Sequence, residues 1–254
     1  MRKALAPYDD YDGWFEDRIS YHPGFGKLDF VHLPLMTMQK VLPKEYEKLV
    51  SYDAYALVRD PMSRFQSAFS QHMKMYHGIE LAQMQESDAK KKLNEIITSL
   101  NSAPYVVEPQ FIHFARQSEF LMNDGARQVE HIYPVTRVNL LLQDLSNRSG
   151  QDIHLAAPLN ETKIMRFPAL QKPIIRTSKL VKDFLPNTVS DPIRRAARQL
   201  LMRPIHSKIL PIFNTKPIIN FVEQYYCEDY IVYEAAMNST NTFSGSSASG
   251  RVKG

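Results

Sequence analysis

The chain has 254 residues, 44% of them apolar and 23% charged, which is enough to bury a sizeable core in one large domain or two small ones and too apolar for general disorder. Its 31 basic against 27 acidic residues leave a net charge of +4, well short of the dense basic stripe of a dedicated nucleic-acid binder, so no nucleic-acid partner is expected while anionic small molecules stay open. A single cysteine, Cys227, excludes an intrachain disulfide framework and any multi-cysteine zinc or iron–sulfur centre.

The basic opening, Met1 to Pro7, runs into the acidic Tyr8 to Gly13 where a signal peptide needs an apolar stretch. Nothing approaches the roughly 18 apolar residues of a membrane-spanning helix. The chain therefore reads as soluble and cytoplasmic, and the Asn-x-Ser/Thr triplets at Asn147, Asn160 and Asn238 read as chance matches. Around Trp14-Phe15-Glu16 and Tyr21 to Gly26 a short helix followed by an ordered loop is expected. Thr37 to Leu49 carries apolar residues at helical spacing, and Pro43 suits a first helical position, so two short helices are expected there. Ala54 to Val58 is a short apolar run that reads as a buried strand. Beyond Pro61, residues Phe65, Ala68, Phe69, His72, Met73 and Tyr76 recur at three- and four-residue intervals, predicting a helix that ends near Gly78.

Further helices are expected over Ser87 to Leu100, Pro109 to Leu121, Val138 to Asn147, Ser190 to Leu201 and Lys216 to Ala236, with a strand over Val129 to Tyr133. Pro158, Pro168, Pro173 and Pro186 make the stretch from Gln151 to Thr188 loop-rich. The Ser/Gly-rich tail, 238–254, has little to bury and reads as disordered. Short buried strands alternating with longer helices indicate one α/β domain over 1–237, with a mostly parallel sheet flanked by helices.

One segment carries chemistry. In Tyr55 to Phe69 an arginine, Arg59, stands at the carboxyl end of a strand and a serine, Ser67, follows eight residues later in the next helix. A guanidinium and a hydroxyl at that edge of an α/β sheet are both good ligands for a phosphate oxygen, and the helix N-terminus would add backbone donors. The scattered histidines show no metal-ligand spacing, so no metal site is expected.

The string RDPxxRxxSxF, here Arg59, Asp60, Pro61, Arg64, Ser67 and Phe69, resembles the 3′-phosphate-binding motif of sulfotransferases that use 3′-phosphoadenosine 5′-phosphosulfate (PAPS), particularly the carbohydrate (family 2) sulfotransferases. The resemblance implies a single P-loop-type, nucleotide-kinase-like domain. In it Arg59 and Ser67 would grip the cofactor's 3′-phosphate, Asp60 and Pro61 would shape the turn, and Arg64 would be a structural or secondary phosphate contact. Weaker likenesses lie in Pro109-Gln110-Phe111, in Asn160, and in Tyr225 to Tyr230 with its Tyr-x-x-Asp element. The activity implied is transfer of a sulfuryl group from PAPS to a hydroxyl of a carbohydrate or glycolipid. His32 is the first candidate for the general base and His22 the second.

The family's 5′-phosphosulfate loop, a strand ending in a Pro-Lys-x-Gly-x-Thr-Ser-like turn, is found nowhere in the 254 residues. Its backbone N–H groups and lysine would hold the 5′-phosphate and stabilise the leaving charge. The expectation is that a strand and loop lie upstream of Met1, where a membrane anchor would also have to sit. The alternative is a truncated, non-catalytic relative that binds nucleotide or glycan without turnover. A kinase-like enzyme is a third class, disfavoured because no G-x-x-x-x-G-K-[ST] string occurs.

Overall fold

The computed structural model describes residues 5–8, 18–103, 105–154 and 209–239, together with the backbone of 163–165, 202–204 and 240–243. It divides into two compact units, 1–156 with 209–254, and 157–208. In the first unit β1 (Ile19–His22) and β2 (Gly26–Asp29) form an antiparallel hairpin. Then come α1 (Leu35–Val41), α2 (Pro43–Ser51), β3 (Tyr55–Val58), α3 (Pro61–His77), α4 (Glu86–Ser102), β4 (Met122–Asn123), β5 (Ala126–Arg127), β6 (His131–Pro134) and α5 (Val138–Ser149). The second unit contributes one antiparallel pair, β7 (Lys163–Met165) with β8 (Met202–Pro204). The chain returns to the first unit with α6 (Lys216–Tyr225) and α7 (Cys227–Phe243).

The class is α/β. The mostly parallel sheet expected from the sequence is corrected: among the described residues the one parallel pair is β3 with β6, and the other three sheets are two-stranded and antiparallel. Tight turns account for two of them. Gly26 takes φ +73 at the start of β2, and Asp124-Gly125 take φ 50 and 74 between β4 and β5, the pair of positive φ values that closes a two-residue hairpin.

Helix α3 shows why its residues fold as they do. Asp60 caps it by accepting the Ser63 N–H at 2.8 Å, and Pro61 fits the first position, where no donor is needed. Phe65, Ala68, Phe69, His72 and Met73 repeat at helical spacing and are buried. Gly78, at φ 66, ends it with a left-handed cap whose N–H reaches the Met73 carbonyl. The Phe65 ring is fully buried, with Phe114, Phe213, Phe221 and Tyr226 centred 5.7, 6.1, 5.7 and 6.2 Å away. These rings join α3 to α6, and Leu93, Ile96 and Leu100 of α4 complete the main core.

Two helix expectations change. Residues 109–121 form two short 3-10 turns, Ile112–Phe114 and Ser118–Phe120, instead of one helix. The reason is competition for the backbone: the Phe114 carbonyl accepts the Tyr226 hydroxyl at 2.8 Å, and the N–H groups of Gln117 and Ser118 donate to Asp229 at 2.7 and 2.8 Å. The expected helix from Lys216 to Ala236 is broken at Tyr226, with φ −107 and ψ 26, and its second half continues to Phe243. Among the described residues no helix is long and apolar enough to cross a membrane. Trp14, Asn160, the helix expected over 190–201 and residues 244–254 lie outside the described residues.

Candidate functional site

Arg59 stands immediately past β3, at the carboxyl end of the parallel pair. Its peptide is clamped by one side chain. The Arg59 N–H donates to Gln117 Oε1 at 2.8 Å, and Gln117 Nε2 donates back to the Arg59 carbonyl at 2.8 Å. Gln117 is in turn fixed through its own N–H by Asp229, which is fully buried in α7. The turn thus has a rigid backbone, while the Arg59 side chain is exposed and has no hydrogen-bond or ion-pair partner among the described residues.

Ser67 lies in the second turn of α3, exposed and likewise without a partner there. Arg64 is half-buried, and its Nη1 is a buried donor with no partner. The α3 N-terminus offers an anion fewer backbone donors than expected. Asp60 already occupies the Ser63 N–H with a carboxylate, and Pro61 has no N–H to offer. What the segment can give a phosphate is therefore a free guanidinium and a free hydroxyl. Both groups are chemically suited to a phosphate oxygen.

His32 belongs to a second group. Arg18 donates from Nε and Nη2 to Asp29 Oδ2, at 2.8 and 2.7 Å, and His32 Nδ1 lies 3.1 Å from the same oxygen and 3.2 Å from Arg18 Nη2. Asp29 ends β2 with its side chain 1% exposed, while those of Arg18 and His32 are each 35% exposed. Burial pushes the Asp29 carboxyl upward, but hydrogen bonds from Arg18 and His32 outweigh it and hold the group below its ordinary value. A proton on Nδ1 pairs with that carboxylate and leaves Nε2 as the acceptor, whereas the Arg18 donor at the same nitrogen suits the other tautomer.

The ring of His113 meets that of His32 edge-on, with centroids 4.8 Å apart. Gln71 Nε2 donates to His113 Nε2 at 2.8 Å, and Arg18 Nη2 lies 3.4 Å from the same nitrogen. Two donors facing one ring nitrogen require it to be an unprotonated acceptor. Burial pushes the His113 pKa down to about 4, with the neighbouring His32 and Arg18 acting in the same direction. Gln71 is four residues beyond Ser67, so both occupy one face of α3. Gln71, on that face, reaches His113, whose ring meets His32.

The other expectations sort as follows. His22 ends β1, where its Nδ1 accepts the N–H of Gly24 in the following turn at 3.2 Å, and does not join the cluster. Tyr226 and Asp229, the Tyr-x-x-Asp element, bind the backbone of 114–118 and so position the Arg59 turn at one remove. Arg18, Asp29, Gln71, His113 and Gln117 were not foreseen. Their partners lie between 3 and 112 residues away, and only the close pair Asp29-x-x-His32 left a local trace. Among the described residues, one trio of possible metal-ligand atoms, from Asp53, Glu130 and His131, lies within 4.8 Å. Arg148, 3.4 Å from Asp53, already supplies a positive charge there. No protein-family model, no curated protein and no solved structure matches the chain.

Proposed function

We propose that the chain is a PAPS-dependent sulfotransferase-type protein with a P-loop-type, nucleotide-kinase-like domain, acting on a hydroxyl of a carbohydrate or glycolipid. The observation that carries this reading is the Arg59 turn: a backbone held on both sides by Gln117, with an exposed, unpaired guanidinium just past the carboxyl end of β3, the end at which α/β folds bind anions. The bound nucleotide would supply an activated sulfuryl group. Arg59 and Ser67 hold its 3′-phosphate, and Arg64 adds positive charge behind them. His32, oriented through Nδ1 by Asp29, takes the acceptor's proton at Nε2 while the acceptor oxygen forms the new S–O bond and the S–O bond to the nucleotide breaks. Arg18 keeps Asp29 ionised for that task.

The test is calorimetric titration of the full chain with 3′-phosphoadenosine 5′-phosphate and, as the control lacking the 3′-phosphate, adenosine 5′-phosphate. Arg59→Ala should weaken the first about tenfold to a hundredfold, the worth of one or two charge-assisted hydrogen bonds, and leave the second unchanged. Equal affinity of the wild type for both nucleotides, or an unaltered Arg59→Ala, would remove the assignment. The second reading is a relative that binds without turnover. Nucleotide binding without sulfuryl transfer to any glycan would select it.

A further inference from the structure

A cavity of about 430 Å3 lies between β6, the β4–β5 hairpin and α7. Four consecutive residues, Glu130 to Tyr133, line it, and no residue of β3 does. Side chains of a strand alternate between its faces. Ile132 packs with Val58 and Ala236, on the side of α7, whereas His131 stacks on Tyr55 with ring centroids 4.4 Å apart. A cavity bordered by successive residues of β6 and by none of β3 runs along the edge of β6 that β3 leaves open.

The register says which groups stand on that edge. The His131 N–H donates to the Ala54 carbonyl at 3.1 Å, so in the parallel ladder His131 and Tyr133 turn their main-chain groups to β3. The N–H and C=O of Ile132 point the other way, and neither has a partner among the described residues. At one end Arg127 has taken the carbonyls of Val129 and Glu130, and at the other Pro134 has no N–H. The open edge is thus one donor and one acceptor of a single residue, the pair that an antiparallel strand matches with one residue of its own. Ile231, Val232 and Ala235 of α7 wall the cavity, and Ile231 is 68% exposed, so the matching residue has to be apolar. The Glu130 carboxylate is exposed, with no partner among the described residues and Asp53 close by, so a basic residue belongs at that end. A stable pair of folded copies needs about 1,200 Å2 of buried surface, more than an edge recessed between a helix and a hairpin offers.

We infer that the open edge of β6 takes up an antiparallel strand from another protein: a short extended segment with an apolar residue opposite Ile132 and a lysine or arginine opposite Glu130. It turns a two-stranded pair, marginal by itself, into a three-stranded sheet. The inference is independent of the nucleotide reading.

The experiment is an amide NMR titration of the full chain with the pentapeptide Thr-Thr-Val-Thr-Lys, capped at both ends. The Ile132 amide resonance should move, and its exchange with solvent should slow about tenfold, as for a hydrogen bond newly made. The same peptide N-methylated at its valine lacks the donor for the Ile132 carbonyl and should bind about tenfold more weakly. A peptide ending in glutamate instead of lysine should bind several-fold more weakly, and Glu130→Lys should reverse that preference. Ala235→Trp, which narrows the cavity from the side of α7, should abolish the response and leave the circular dichroism spectrum unchanged. A motionless Ile132 amide, equal binding of the N-methylated peptide, or a charge preference that survives Glu130→Lys would overturn the inference. So would sedimentation as a dimer that Ala235→Trp disperses, which makes the occupant a second copy, or uptake of decanoate without any response to the peptide, which makes the cavity an apolar-ligand pocket.

Discussion

Asp229→Asn is expected to destabilise the fold by about 3–5 kcal/mol, because it weakens two charge-assisted hydrogen bonds worth roughly 1.5–3 kcal/mol each and turns an amide donor toward donors. Asp229 is fully buried, and its two oxygens accept the N–H groups of Gln117 and Ser118 at 2.7 and 2.8 Å. Neither N–H belongs to a regular helix that could re-pair it, and the site excludes water, so the loss is not recovered by solvent. Chemical denaturation of the two proteins measures the difference. A change below about 1 kcal/mol, the value of an ordinary neutral hydrogen bond, would show that the segment is held by packing instead.

A second consequence separates this residue from a generic core position. Gln117 is fixed by Asp229 through its backbone and fixes Arg59 through its side chain, so loosening the first link slackens the turn that presents the guanidinium. In the surviving folded fraction, affinity for 3′-phosphoadenosine 5′-phosphate should fall relative to adenosine 5′-phosphate. Tyr226→Phe provides the comparison. It deletes a single neutral bond, from the Tyr226 hydroxyl to the Phe114 carbonyl, and should cost about 1 kcal/mol without touching the ratio of the two nucleotides.

The same contacts explain what was legible in the sequence. The α3 region was readable because its determinants are local: a capping Asp60, Pro61 at the first position, apolar residues at helical spacing and Gly78 at the end. Arg59 and Ser67 were found for that reason, since both sit inside one short string. Phe111, Ile112, Phe114, Ala115 and Phe120 have a spacing that suits a helix equally well, and nothing nearby contradicts it. The groups that unmake that helix, Tyr226 and Asp229, stand over a hundred residues downstream. The β4–β5 hairpin carried its own signal in Asp124-Gly125, which fell between the helix expected to end at Leu121 and the strand expected from Val129 and was not read as a turn. The His32 cluster was half legible. A histidine before the strand was visible as a candidate, but the residues that orient it come from the hairpin, from α3 and from the segment at 113, and no local pattern ties them together.

Two buried groups of opposite sign should make the pH dependence of stability informative only after one is removed. Glu119 is pushed up to about 7 by burial, so between roughly pH 4.5 and 7 the folded chain retains a proton that the unfolded chain has released, and stability falls as pH rises. His113 is pushed down to about 4 by burial, so between roughly pH 4 and 6.5 the unfolded chain holds a proton that the folded chain lacks, and stability rises with pH. Each effect amounts to about 3 kcal/mol at most, and less to the extent that solvent reaches the groups. Over the shared window the slopes oppose, and His72, lowered chiefly by its burial, adds to the His113 side. Asp29, held below its ordinary range, contributes a loss of stability only as pH falls below that window. The wild type should therefore show a weak upward tilt from pH 4.5 to 6.5. Glu119→Gln should steepen that rise, and His113→Gln should turn it over so that stability declines toward neutrality. Urea denaturation at half-unit steps of pH reads all three curves. If both substitutions leave the wild-type slope in place, neither group titrates as its surroundings dictate, and water reaches both.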